Sequence, residues 1–138
     1  MSYLGRSIKR FEDARLVIGD GVFIDDIKLP DMLHAAVVRS VHAHARIPSI
    51  NVVDAIELDG VVEVLTGADL AGKLPDLPIR PMGDRSVDEF NPPEHPVLAQ
   101  DKVCYVGQPV AVVVAENPYL ARDGAELVTV DYELLTPV

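Results

Sequence analysis

Residues 109–133 read PVAVVVAENPYLARDGAELVTVDYE, and the order of elements in this stretch decides the fold class. The run 109–116 is small and β-branched and predicts a strand. Asn117 is a favoured N-cap residue, and Pro118 suits the first helical position, where its missing N–H costs nothing. A helix is therefore expected from Pro118 to about Leu127. Leu120, Ala121, Gly124, Ala125, Leu127 and Val128 form one face small enough to approach a sheet closely, and Arg122, Asp123 and Glu126 form the other. Residues 128–133 then alternate Val128, Val130 and Tyr132 inward with Thr129, Asp131 and Glu133 outward, which predicts a half-buried strand. Strand, helix, strand implies a mixed α/β topology.

Upstream, VVEVLT (61–66) reads as another strand, preceded by a short helix over 51–58 that Asp59-Gly60 closes. LHAAVVRS (33–40) has the composition of a strand buried on both faces, inside the sheet. Around Gly19-Asp20-Gly21 the apolar runs of LVIGDGVFIDDI (16–27) predict a hairpin or bent strand. Between Lys73 and His95 the pattern fails, because residues 75–96 contain Pro75, Pro78, Pro81, Pro92, Pro93 and Pro96, which leave no room for a helix or central strand. The expected architecture is α+β (mixed α/β): a mixed sheet, two or three helices and a long proline-rich loop. Residues 1–15 read as an extended basic N-terminal arm carrying Arg6, Lys9, Arg10 and Arg15, and residues 16–138 as one domain.

Composition narrows the function. The 138 residues carry 12 Lys and Arg against 22 Asp and Glu, a formal net charge of −10. Residues 1–50 hold 7 basic and 6 acidic side chains, so the excess acid lies downstream. Such a chain is a poor binder of nucleic acid or anionic membranes, both of which need clustered Lys and Arg. No apolar run approaches a membrane span and no signal-peptide pattern opens the sequence, so a cytoplasmic location is expected. A single cysteine, Cys104, excludes an intramolecular disulfide and any cysteine-based zinc cluster.

Residue chemistry offers no visible active site. His42 and His44 would share a face of an extended segment, but a metal needs further ligands, from His34, His95 or a carboxylate, and hydrogen-bonded histidines are the favoured reading. Gly19-Asp20-Gly21 lacks the third glycine of a dinucleotide fingerprint, since Ile24 stands there, and reads as a turn. Asp25 and Asp26 are adjacent, so on a strand they would point to opposite faces. Cys104 in KVCYVG reads as a small buried hydrophobe. Arg39 and Arg46 are expected to pair with the acidic body, anion binding being the alternative.

Four blocks taken together carry a resemblance: residues 5–47, GRSIKRFEDARLVIGDGVFIDDIKLPDMLHAAVVRSVHAHARI; residues 59–70, DGVVEVLTGADL; residues 95–116, HPVLAQDKVCYVGQPVAVVVAE; and residues 121–138, ARDGAELVTVDYELLTPV. In this order, with RS-x-HAHARI and VGQPVAVVVAE, the chain resembles the N-terminal α/β hammerhead domain of the molybdopterin-binding large subunit of the xanthine oxidase, aldehyde oxidase and aerobic carbon monoxide dehydrogenase family. The resemblance implies a molybdenum hydroxylase that oxidises aldehydes, heteroaromatics or carbon monoxide. Its cofactors would be molybdenum–molybdopterin (dinucleotide form), with 2Fe-2S clusters and FAD on partner subunits. The family's cofactor-contacting and base residues lie in domains C-terminal to the hammerhead, so no catalytic, cofactor-binding or metal residue is assigned here. The implied role is structural and docking, with the basic arm and His42–Ile47 as surfaces, and with exposed apolar area expected near Val37–Ile50 or Leu134–Val138. The proline-rich stretch Lys73–Pro93 would then line a substrate entrance. A free-standing hammerhead that binds a partner or small ligand is the alternative. A biotinyl or lipoyl carrier is disfavoured, because Lys102 lacks the neighbours of a carrier lysine.

Overall fold

The structure is a computed structural model describing residues 4–78 and 93–137. The chain divides into two compact units, residues 1–32 and residues 33–138.

In the first unit the expected hairpin does not form. A helical turn, α1 (Asp13–Val17), and a 3-10 turn (Ile24–Asp26) stand where the two strands were predicted. Local side-chain chemistry wins over β propensity: Arg10 pairs with Asp13 at 2.8 Å and Arg15 with Glu12 at 3.2 Å, both at helical spacing. Gly19, at φ +85°, ends the turn by a conformation that side chains resist. Asp26 accepts the Phe23 N–H at 3.0 Å and closes the second turn, so this carboxylate is structural. No residue described in this unit is buried.

In the second unit the elements run β1 (His34–Arg39), β2 (Ala45–Arg46), β3 (Ile50–Asn51), α2 (Val53–Ile56), β4 (Val61–Thr66), α3 (Gly67–Leu70), β5 (Lys102–Val103), β6 (Pro109–Ala115), α4 (Pro118–Leu127), β7 (Thr129–Val130) and β8 (Glu133–Leu134). The fold class is mixed α/β as expected, but in place of the one mixed sheet expected the described strands form three small sheets, paired antiparallel throughout, because no two neighbouring strands run in the same direction. The main sheet has the order β1-β6-β4, a second has β5-β2-β8, and β3 pairs with β7. The strand, helix, strand unit is present, but β6 and β7 enter different sheets. The final strand is likewise split: Val130 pairs with Ile50, and Glu133 with Arg46.

The central strand is β6, and β1 lies at the edge. Instead of burial on both faces, β1 alternates half-buried His34, Ala36 and Val38 with exposed Ala35, Val37 and Arg39. The reason is topological: the seven-residue, valine-rich β6 takes the middle, and β1 has one neighbour. Helix α4 packs on β1 and β6, and α2 on β4 and α4. Asn117 caps α4 by accepting the N–H groups of Tyr119 and Leu120 at 3.0 and 2.9 Å. Gly124 lets α4 approach, since a Cβ there would stand 2.9 Å from Val113 Cγ1.

Two small cores result. Ala55, Val64, Ala111, Val113 and Val128 fill one, and Ala45, Ala99, Val103 and Val110 the other. A bulge serves both: β1 pairs Val38 with Ala111 but Arg39 with Pro109, so Val110 leaves the ladder, and Val110 and Ala111 are consecutive yet each buried in a different core. Ile50 and Val130, paired across β3 and β7, pack against both cores and join them.

The helix expected over 51–58 is shorter, with Asn51 Oδ1 accepting the Val53 N–H at 3.1 Å. Helix α3 was not expected. Its signal is Thr66 with Asp69, a capping pair in which the carboxylate accepts the Thr66 hydroxyl and N–H at 2.6 and 2.8 Å. In the proline-rich region, residues 73–78 contain no strand and Leu77 N–H reaches His95 O at 2.8 Å; the loop residues 79–92, on which the substrate-entrance expectation rests, lie outside the described residues.

Candidate docking surface

The histidine segment that follows β1 is a clasp. Ser40 is buried, its hydroxyl donates to His42 O at 2.9 Å and accepts the His42 N–H at 3.0 Å. His42 sets its ring edge-on to Tyr132, with centroids 4.8 Å apart. His44 Nδ1 lies 2.8 Å from Thr136 O, and since a carbonyl only accepts, that nitrogen carries the proton. Leu135 N–H returns to His44 O at 3.0 Å. The two imidazoles thus both contact the C-terminal segment, His42 at Tyr132 and His44 at Thr136.

The same clasp reaches the second distinctive motif. Ser40 N–H donates to Gln108 O at 2.9 Å, Gly107 N–H to Ser40 O at 2.8 Å, and Arg39 to Gly107 O at 2.9 Å. Gln108, also buried, accepts the Cys104 N–H on Oε1 at 2.7 Å. RSVHAHARI and VGQPVAVVVAE are therefore bonded to one another, their buried polar groups satisfied internally. Ser40 and Gln108 were not singled out by sequence reasoning, because the signal is their long-range pairing and no local pattern encodes it.

Other expectations change. Cys104 is exposed rather than buried, because it stands in the β5–β6 connection, just past the end of β5 and before the turn that Gln108 N–H closes on Tyr105 O at 3.3 Å. Arg39 gives its guanidinium to a carbonyl, and Arg46 stands exposed beside Lys102 across the β2–β5 register; among the described residues the ion pairs with side chains are those of Arg10 and Arg15. Arg46, Lys102, Glu94, Asp101, His44 and Cys104 border an open cleft of about 550 Å³ with charges of both signs. Asp69 is held below the ordinary carboxylate range by the Thr66 hydroxyl and then the Thr66 N–H, a capping effect remote from this cleft.

Among the described residues a molybdenum pterin, a 2Fe-2S cluster or FAD finds no matching donor set. An iron–sulfur cluster needs several thiolates and the sequence has one cysteine. Among the described residues no three His, Cys, Asp or Glu side chains converge to hold a metal, and the N-terminus of α4 is closed by Asn117. No step of chemistry is drawn through these groups.

What the surface does offer is apolar area. In the first unit Leu4, Phe11, Val17, Ile18 and Ile24 are each more than 70% exposed. In the second, Val41, Val53, Val62, Val106, Tyr119 and Leu134 are exposed. Val37, Val41 and Leu134 fall in the two regions where exposed apolar side chains were expected.

The model of the aldehyde oxidase and xanthine dehydrogenase a/b hammerhead domain matches residues 18–136. The chain belongs to this family. The hammerhead is 45% identical to the carbon monoxide dehydrogenase large chain of Afipia carboxidovorans, over 96% of this chain and 15% of that one. It is 43% identical to the 6-hydroxypseudooxynicotine dehydrogenase complex subunit gamma of Paenarthrobacter nicotinovorans, over 97% of this chain and 17% of the relative. Among solved structures, quinoline 2-oxidoreductase from Pseudomonas Putida 86 superposes with a TM-score of 0.83 at 45% identity, covering 96% of this chain and 16% of the other. The chain thus spans about one sixth of the length of the relatives it matches.

Proposed function

We propose that this hammerhead is one segment of the large subunit of a molybdenum hydroxylase, and that it contributes docking surface and rigidity while other segments contribute the chemistry. The assembled enzyme would be of carbon monoxide dehydrogenase type, or would oxidise aldehydes or heteroaromatics. Molybdenum–molybdopterin, in its dinucleotide form, would sit in the remainder of the large subunit, with 2Fe-2S clusters and FAD on partner subunits. No helix of the described residues is long and apolar enough to cross a membrane, and the reading adopts the cytoplasm as the compartment.

The observation that carries this reading is the 45% identity to a carbon monoxide dehydrogenase large chain, spread over 96% of this chain. Its physical counterpart is the first unit, where Phe11, Val17 and Ile24 are exposed and the same segment carries Arg6, Lys9 and Arg10. Apolar side chains of that size are normally covered, and a mixed basic and apolar segment suits an acidic, apolar subunit surface.

The test is the native mass of this polypeptide in lysate of its source organism, by size separation with immunodetection and metal analysis of the same fractions. Co-elution with a much larger, molybdenum-containing polypeptide is the expected result. Elution as a monomer or small homo-oligomer, free of molybdenum, would overturn the reading and leave a free-standing interaction module.

A further inference from the structure

The free edge of β1 differs from every other sheet edge among the described residues. Strands β3, β5, β7 and β8 are two residues each, and β4 is interrupted by an irregularity between Val61 and Glu63 and carries the Glu63 charge. Short strands, bulges and charges are the devices that keep edges from pairing. Strand β1 has none of them from Ala35 to Val38: its ladder to β6 is irregular only between Val38 and Arg39, where the extra residue, Val110, belongs to β6, and His34 and Arg39 flank the stretch Ala35, Ala36, Val37 and Val38.

The direction of its backbone groups follows from the ladder. Ser40 exchanges bonds with Gln108 and Gly107, so its N–H and C=O face the β6 side. Alternation then turns those of His34, Ala36 and Val38 toward β6, and those of Ala35, Val37 and Arg39 outward. Beside this edge lies a groove of about 520 Å³, walled by β1 and by Pro118, Arg122, Ala125 and Glu126 of α4. These four recur on one side of the helix, and Arg122 and Glu126 sit one turn apart with opposite charge.

We infer that β1 is a dimerisation edge, and that its occupant is β1 of a second copy of this chain, paired antiparallel about a two-fold axis at Val37. Three features fit a second copy. The outward groups of Val37 meet those of Val37 in the other copy, and Ala35 meets Arg39, so both bonds are exchanged at each pair. No like charges face each other in this register, because His34 falls opposite Ser40 and Arg39 opposite Ala35. The two α4 helices then lie on one face of the joined sheet, antiparallel, which sets Arg122 of one copy against Glu126 of the other twice over. A closed two-fold contact of this kind is self-complementary and ends with the dimer. The inference stands apart from the enzyme assignment, since it asks only for two copies of this chain.

The experiment is sedimentation of the purified full chain at micromolar concentration, with charge variants on the exposed face of α4. The wild type is expected at twice 15.0 kDa. Arg122→Glu should weaken the dimer about tenfold by placing like charges across the axis, and the double swap Arg122→Glu with Glu126→Arg should restore it. Val37→Pro, which removes an outward N–H and leaves the β6 ladder intact, should give monomer with an unchanged circular dichroism spectrum. In a Cys104→Ser background, Val37→Cys should cross-link under oxidation, whereas Val62→Cys on the opposite edge should not. A monomeric wild type, or a dimer indifferent to both the single swap and Val37→Cys oxidation, would overturn the inference. A dimer in this assay beside molybdenum-free elution in lysate would sink the enzyme assignment and leave this one standing.

Discussion

Residues 4–32 and residues 33–137 have similar appetites for burial and opposite outcomes. The first unit carries Leu4, Ile8, Phe11, Leu16, Val17, Ile18, Val22, Phe23, Ile24, Ile27 and Leu29, and buries none of them. The second buries Val64, Leu98, Val103, Val110 and Val113 around a sheet whose strands come from distant parts of the chain. Hydrophobic content is therefore not sufficient for a core. Side chains have to be presented on one face of a framework that closes on itself, and α1 at five residues is no such framework.

The sharpest way to break the comparison is in the second unit, at Gly67. A Cβ there would stand 2.2 Å from Ala99 O and 2.8 Å from Ala99 C, backbone atoms that cannot swing aside. Gly67→Ala should cost more than about 3 kcal/mol in denaturant unfolding. A paired truncation comes next: Val113→Ala, in the centre of β6, should cost about 2–3 kcal/mol, and Phe23→Ala, 65% exposed, should change stability of the isolated chain by less than about 0.5 kcal/mol. Phe23→Ala should nonetheless reduce retention in the large complex, measured by the co-eluting fraction. Equal losses at the two positions would erase the distinction between the units.

A smaller effect belongs to the cap of α4. Asn117→Ala frees two N–H groups and should lower the unfolding midpoint by an amount equivalent to about 1 kcal/mol, with no change in association. Smallest is the pH response of Asp69. Its folded carboxyl is held below the ordinary 3.8 by Thr66, so its contribution is full above the unfolded-state value and is lost as pH falls through the folded one. Stability should dip slightly below pH 3.8, and Asp69→Asn should remove that component of the acid limb, read by urea titration across this window.

Local grammar explains what was legible in the sequence. The Asn117-Pro118 start, the strand 61–66 and the inward–outward alternation of 128–133 are set by neighbours in the chain, and each stands as read. What was hidden depends on distant partners. Composition made HAAVVR a buried strand, but whether a strand is central or at an edge is decided by the strands beside it, and β6 took the centre. LVIGDGVFIDDI has β propensity but no partner strand among the described residues, and within it a short-range contact, the Asp26 carboxylate on the Phe23 N–H, closes a turn instead. Cys104 lies in an apolar run, yet it stands in the β5–β6 connection, just past the end of β5, and is exposed. The family resemblance reached the right fold, while the clasp joining Ser40, His42, His44 and Gln108 needed coordinates, because its bonds span up to 92 positions.

The central claim is that residues 33–137 hold their own fold and residues 4–32 await a covering surface. Hydrogen exchange of the isolated full chain tests it directly. Amides of β6, β4 and α4 should be slow, and those of residues 4–32 should exchange at rates close to an unstructured chain, becoming protected only in the native complex. Slow exchange across residues 4–32 in the isolated chain, on a par with β6, would contradict the account.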